Sequence, residues 1–227
     1  MTEESAQTTQ WQERTMERSL KSARQQAIAR GGTFVAAAVD LLRTTGRADF
    51  TVQEVVDRAG LSLRSFYQLF ATKDDLLLAL IEETVHRHLA TVRQRVDGES
   101  SPRARFEALV RAMFGTPETD DPASRGMVLF QWHLAATRPD EFDAVVSSYV
   151  ETVAEVLAPG VADGTFRSDL TVPVLAALVT HTLVSILDRR VLGVGPRHDT
   201  VSPDDLVRWC LSGVLAPDAG GLSPAPR

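Results

Sequence analysis

Apolar residues recur along most of the chain at the three-and-four spacing of an α-helix, and no run alternates convincingly enough for a strand. From Ser22 to Thr45, the positions Ile28, Phe34, Val35, Ala38, Leu41 and Leu42 fall near one helical face. Gly31 and Gly32 interrupt that stretch, so the firm part of the helix is expected from Thr33, with Gly46 closing it as a C-terminal cap. Residues 1–20 are polar, lack the period and predict a flexible tail. Thr51, with Glu54 three residues on, reads as a capping box that opens a short helix with Val52, Val55, Val56 and Ala59 facing inward. Gly60 ends it, and Ser62 can cap another at once, Leu63 to Leu69. Thr72 with Asp75 is a second capping box, opening a long helix from Lys73 to about Val96 along the stripe Leu76, Leu77, Leu80, Ile81, Val85, Leu89 and Val92.

Beyond that helix, proline and glycine divide the chain. Pro102 after Ser101, Pro122 after Asp121 and Pro139 before Asp140 and Glu141 each suit a first helical turn. Residues 159–170 hold Pro159, two glycines and two aspartates and read as a loop. The span Thr171 to Leu192 is very apolar, and Ser202 caps a last helix to about Leu215. Residues 217–227 are rich in glycine and proline and are expected to be disordered. No internal repeat or low-complexity block is visible. The expected fold class is all-α: a three-helix N-terminal domain over 21–72, then a second helical domain over 73–216.

Composition narrows the class. The 227 residues are 44% hydrophobic and 24% charged, an ordinary globular balance with ample material for a core. No stretch approaches the roughly 18 apolar residues a membrane span needs, so no membrane partner is expected. The opening MTEESAQTTQ is acidic and polar, unlike a secretory signal, and a cytoplasmic location is expected. The single cysteine, Cys210, allows no internal disulfide and reads as a small apolar core residue. The net charge of −6 is unevenly spread: residues 11–95 hold 13 Lys/Arg against 10 Asp/Glu, and residues 96–227 hold 11 against 18. A mildly basic front on an acidic body suits a DNA-reading head on a body that does not touch DNA.

Two very short helices that meet at Gly60, Leu61 and Ser62 have the spacing of a helix-turn-helix. Gly60 permits the tight turn, Ala59 lets the helices approach, and Leu61 fills the gap between them. In such a unit the second helix enters the major groove, which makes Leu63, Arg64, Ser65 and Gln68 the candidate base readers. Arg64 suits a guanine edge, Gln68 an adenine and Leu63 a thymine methyl. The helix starts at Thr51 and Thr72 offer free N–H groups to phosphate, Lys73 adds a charge, and Tyr67 adds a hydroxyl. Arg14, Arg18, Lys21 and Arg24 could reach a minor groove as a basic arm, against the plainer reading of a solvated tail.

Residues 34–77 resemble the DNA-binding domain of the TetR family of repressors. The resemblance lies in Ala37, Ala38, Leu42 and Gly46, then Thr51, Val52 and Val55, then Ala59-Gly60-Leu61-Ser62, Phe66-Tyr67-Gln68-Leu69-Phe70, and Thr72-Lys73-Asp74 with Leu76. It implies that Tyr67, Lys73 and Thr51 contact DNA phosphates. It also implies an all-helical homodimer on a near-palindromic double-stranded operator, released by a small ligand. Two departures stand out. The family often carries Lys-Gly-Thr where this chain has Leu63, Arg64 and Ser65, which changes the bases read, and an Ile-Ala pair where it has Val55 and Val56.

In the body, Phe106, Met113, Phe114, Met127, Phe130, Trp132, His133, Tyr149 and His181 could line a pocket for a small apolar or amphipathic ligand, with His133 and His181 as polar anchors. Aromatic and Met positions at helical spacing equally describe ordinary core. His86 and His88 point to different faces of a helix, so no metal site is expected there, and no cofactor is implied. The apolar helices near 171–192 and 203–215 are expected to pair between two chains, with Asp188, Arg189 and Arg190 at the rim. No nucleophile–base pairing, metal-ligand spacing or glycine-rich phosphate loop supports catalysis. The competing readings are a DNA-binding regulator that acts through a partner protein without a ligand, and a helical small-molecule-binding protein or enzyme.

Overall fold

The computed structural model describes residues 10–114, 122–195 and 201–216. Nine helices form among them: α1 (Gln10–Thr45), α2 (Val52–Ala59), α3 (Leu63–Tyr67), α4 (Lys73–Asp97), α5 (Pro102–Phe114), α6 (Pro122–Thr137), α7 (Pro139–Ala162), α8 (Val172–Leu192) and α9 (Pro203–Val214). The fold is all-α as expected. No strand forms among the described residues, and a single isolated bridge joins Phe166 and Leu215.

Two apolar clusters hold these helices together. The first gathers Phe34, Ala38 and Leu42 of α1, Val55 and Val56 of α2, Phe66 of α3 and Leu76 to Leu89 of α4, and also takes in Phe130 and Leu134 of α6. The second packs Val92 and Val96 of α4 with Phe106 and Leu109 of α5, Val153 and Leu157 of α7, Leu175 and Leu183 of α8, and Leu206 and Cys210 of α9. The stripe on α4 therefore serves the head with its first four turns and the body with its last two. Cys210 is buried, as its reading as a core residue requires, and burial pushes its thiol up to about 11.

Three expectations are corrected. The helix α1 begins at Gln10, so residues 10–20 are helical where a flexible tail was expected. Eight of its eleven residues are Gln, Glu, Arg, Met or Leu, which favour a helix without any burial. Second, α1 runs unbroken through Gly31 and Gly32, because a cost of about 1 kcal/mol per glycine is not enough to stop a helix anchored by the buried line from Phe34 to Leu42. Third, α7 continues through Pro159 and Gly160 to Ala162, so the expected loop over 159–170 is shorter. Gly160 there accepts the Phe166 N–H at 2.8 Å and packs directly under its ring. The tails expected over residues 1–9 and 217–227 lie outside the described residues.

The expectation that no stretch approaches a membrane span is corrected too: by length and composition, α7 and α8 are each apolar enough over an 18-residue window to cross a membrane. Most of their buried residues belong to the body core, while Val145 of α7 belongs to the head cluster. Val174 and Leu178 of α8 and Trp209 of α9 remain exposed.

Candidate nucleic-acid interface

The helix-turn-helix is built by three N-terminal caps. At α2 the Thr51 hydroxyl accepts the Glu54 N–H at 3.2 Å, and the Thr51 N–H donates to Glu54 Oε2 at 2.6 Å. The Thr51 N–H first, and then the Thr51 hydroxyl, donate to the Glu54 carboxylate and hold it below its ordinary value. Gly60 then takes the left-handed conformation (φ 64°) that a side chain resists, and the Leu61 N–H returns to Val56 O at 3.3 Å. Two residues later the Ser62 hydroxyl accepts the Ser65 N–H at 3.1 Å and starts α3. At α4 the Thr72 N–H donates to Asp75 Oδ2 at 2.9 Å, closing the second predicted box.

Phe66 fixes which edge of α3 faces outward. Its ring is fully buried, edge-on to Phe34 at 5.4 Å and tilted against Phe70 at 5.5 Å. With Phe66 turned inward, Leu63, Arg64, Tyr67 and Gln68 are left exposed. Ser65 is half-buried, its Oγ 2.9 Å from that of Ser62. Three of the four candidate base readers thus share an open edge with Tyr67, while Ser65 is part of the turn.

The candidate phosphate residues differ in their freedom. Tyr67 is open, its ring edge-on to Phe66. The Thr51 hydroxyl also donates to Glu54 Oε2 at 2.8 Å, so its proton is committed to the cap. Lys73 is half-buried, donates to Ala48 O at 2.9 Å and sits 5.6 Å from the Phe50 ring centroid. Its ammonium has three donors, and this carbonyl uses one.

The first turn of α4 is also held from the body. Arg138, at the corner between α6 and α7, pairs with Asp75 Oδ1 at 2.8 Å and with Glu141. His133 Nε2 lies 3.5 Å from Asp74 Oδ2. Desolvation pushes the Asp75 carboxyl up, but hydrogen bonds from Arg138 and Thr72 outweigh it and hold the group below its ordinary value. These contacts join the DNA-facing unit to α6, an interaction between helices that no local sequence pattern announces.

Among the described residues, the candidate ligand residues are spread over both apolar clusters and the surface. Phe106, Met113 and Phe114 are packed in the body core, and Phe130 in the head cluster with Met127 against it. Tyr149 lies between the clusters, its hydroxyl 3.0 Å from His88 Nδ1, and burial pushes it up to about 12. His133 is turned toward Asp74. Only Trp132 and His181 meet, in an open cleft of about 320 Å³ between α6 and α8 with Val184, Ser185, Asp188, Arg189 and Val194. There the Trp132 indole N–H donates to Asp188 Oδ2 at 3.3 Å, and desolvation raises the Asp188 carboxyl. Sequence reading missed three polar features of the body. His88 was set aside as a metal ligand but partners Tyr149. Thr180 is buried, with no hydrogen-bond partner for its hydroxyl among the described residues. Asp188 was placed at a subunit rim.

A tripartite capped unit with an open α3 edge, mounted on a helical body, defines a helix-turn-helix DNA-binding protein. Residues 34–80 match the bacterial regulatory proteins of the tetR family. That match covers the DNA-binding unit, and the relatives whose likeness extends beyond it are transcriptional regulators. It is 26% identical over 169 residues to the transcriptional repressor KstR2 of Mycobacterium tuberculosis, covering 69% of this chain and 79% of that protein. It is 32% identical over 96 residues to the transcriptional activator FasR of Mycolicibacterium smegmatis, covering 42% and 44%. Its fold matches the solved fatty acid degradation regulator FadR of Bacillus halodurans with a TM-score of 0.66 at 18% identity, over 81% of this chain and 93% of that one.

Proposed function

We propose that this chain is a repressor that binds a near-palindromic operator as a homodimer and lets go when a small molecule occupies its body. The observation that carries the DNA half is the open edge of Leu63, Arg64, Tyr67 and Gln68, set by buried Phe66 between two capped helices. Arg64 and Gln68 read bases, Leu63 touches a methyl group, Ser65 supports the turn, and Tyr67, Lys73 and the α2 start at Thr51 hold phosphates. Pairing through α8 and α9 is supported by the apolar side chains Val174, Leu178 and Trp209, left open on one chain.

The cleft between Trp132 and Asp188 is the ligand site this reading favours. Its walls are mostly apolar with one desolvated carboxylate, which suits an amphipathic molecule. A ligand wedged there displaces α6. Through Arg138–Asp75 and His133–Asp74 that displacement reaches the first turn of α4 and changes the separation of the two recognition edges, which must sit about 34–36 Å apart. The openness of this cleft supports a second reading, in which a partner protein rather than a small molecule occupies the face. Relatives in this family are regulators, and no catalytic role is proposed.

The test is a gel shift on a duplex enriched from a random pool by the full-length chain. Tyr67→Phe and Lys73→Ala should each weaken binding on all sequences alike. Arg64→Ala should cost about 1–3 kcal/mol and relax preference at one base pair of each half-site. Unchanged affinity in all three variants rejects the assigned interface. Protection of the Trp132 indole from solvent quenching by a small-molecule library, absent in Asp188→Ala, separates the ligand reading from the partner-protein reading.

A further inference from the structure

We infer that residues 10–30 form a second DNA-binding element, a basic helix that grips the duplex backbone beside the half-site read by α3. The inference rests on the DNA-binding function proposed above.

The extension is a free-standing stretch of α1. Its side chains from Arg14 to Gln26 are exposed, and the first buried residue is Phe34. The 21 residues from Gln10 to Arg30 make about 30 Å of helix. Residues 11–30 hold five Lys/Arg and two Glu, while residues 31–95 hold eight of each sign. The whole positive excess of the front third of the chain therefore sits on this extension, and the compact head itself is neutral. Trp11, Arg14, Arg18, Lys21 and Gln25 recur at spacings of three and four, so they share one face. None of the three cations forms an ion pair among the described residues.

Its root places it at the DNA side. Phe34 lies 5.4 Å from the ring of Phe66 and 6.3 Å from that of Phe70, so the extension leaves the head next to the recognition helix. The body grips the opposite end of α1. A Cβ added to Gly126 of α6 would come within 2.8 Å of Leu42 and 3.4 Å of the Gly46 and Arg47 backbone. The basic face lies opposite the line that Phe34, Ala38 and Leu41 turn into the core. Gly31 and Gly32, with open space around both, sit at the root where the helix can bend to aim that face at a phosphate strand. From Arg14 to Lys21 the cations span about 10 Å of helix, the reach of two or three successive phosphates. Met16 and Leu20 lie on the other side, so the helix also has the look of a membrane-surface or self-pairing element. Its charge and its origin beside α3 favour DNA.

The experiment compares the full-length chain with Arg14→Ala/Arg18→Ala/Lys21→Ala, substitutions that preserve the helix. Operator affinity is measured as a function of salt, with hydroxyl-radical footprinting on the same duplex. Each lost phosphate contact should make the slope of log affinity against log salt shallower by about 0.9, so by about three per chain, with at least a tenfold loss at about 0.1 M salt. Protection should disappear outside the half-sites and persist within them. A slope within one unit of the parent, with an unchanged footprint, overturns the inference. So does binding to phosphatidylglycerol vesicles, or a shift in oligomeric state, that the triple variant abolishes while its operator slope stays put. Tyr67→Phe in the same titration separates the two failures: if it loses affinity and the triple variant does not, only the extension is misassigned.

Discussion

Arg64, Tyr67 and Gln68 are exposed because one neighbour, Phe66, is not. On a helix of barely more than one turn, a single buried ring decides where every other side chain points. The identities of the open residues were legible in the sequence, since the turn residues and the aromatic spacing fix the register of α3. The commitment of the Thr51 proton to Glu54 and of Lys73 to Ala48 O was not, because those bonds depend on the neighbouring backbone. Gly160 shows the same limit. In sequence it reads as a loop residue, yet it is buried under Phe166, where an added Cβ would collide with the ring and meet Pro102 Cβ at 3.0 Å. Gly160→Ala should therefore destabilise the chain by about 1–3 kcal/mol, read as a lower urea midpoint. A midpoint equal to the parent's would mean that Phe166 can move aside freely.

At the scale of elements, capping boxes were the most readable feature. Ser or Thr followed three residues on by an acidic residue marked the starts of α2, α4 and α9 directly. Helix ends without such a signal were misjudged, as at the start of α1 and the end of α7. The box at α4 does double duty, because Asp75 both caps the helix and receives Arg138 from the α6–α7 corner. Its carboxyl is held below its ordinary value of 3.8. An acid with a lowered folded value adds stability that is complete above the unfolded value and is lost as pH falls through the folded one. The stability advantage of the parent over Arg138→Met should thus be constant between about pH 6 and 8 and shrink below about pH 4. Parallel unfolding curves across pH would check it, and an advantage that grows in acid would contradict the assigned pair.

The whole molecule is two apolar clusters strung on one long helix, with α6 bracing the head from the body side. One chain leaves Leu178 of α8 exposed at 56% and Trp209 of α9 at 59%. Leu178→Glu should leave the isolated chain folded, since the side chain touches water. Sedimentation should then show a monomer at concentrations where the parent is a dimer, and operator affinity should fall with it, because two half-sites can no longer be held at once. A variant that sediments as the parent does would move the pairing surface away from α8.

The sequence alone determined what local chemistry can determine. Period, caps and the Gly60 turn specified the helices and the DNA-reading unit, since each depends on residues a few positions apart. Tertiary structure decided what depends on residues far apart: that Trp132 meets Asp188 across α6 and α8, that Arg138 reaches Asp75, and that Phe106 and Met113 join one cluster with α7, α8 and α9. Such pairings follow from how finished helices pack, and packing is settled by the shape of whole faces, not by the spacing along any one of them.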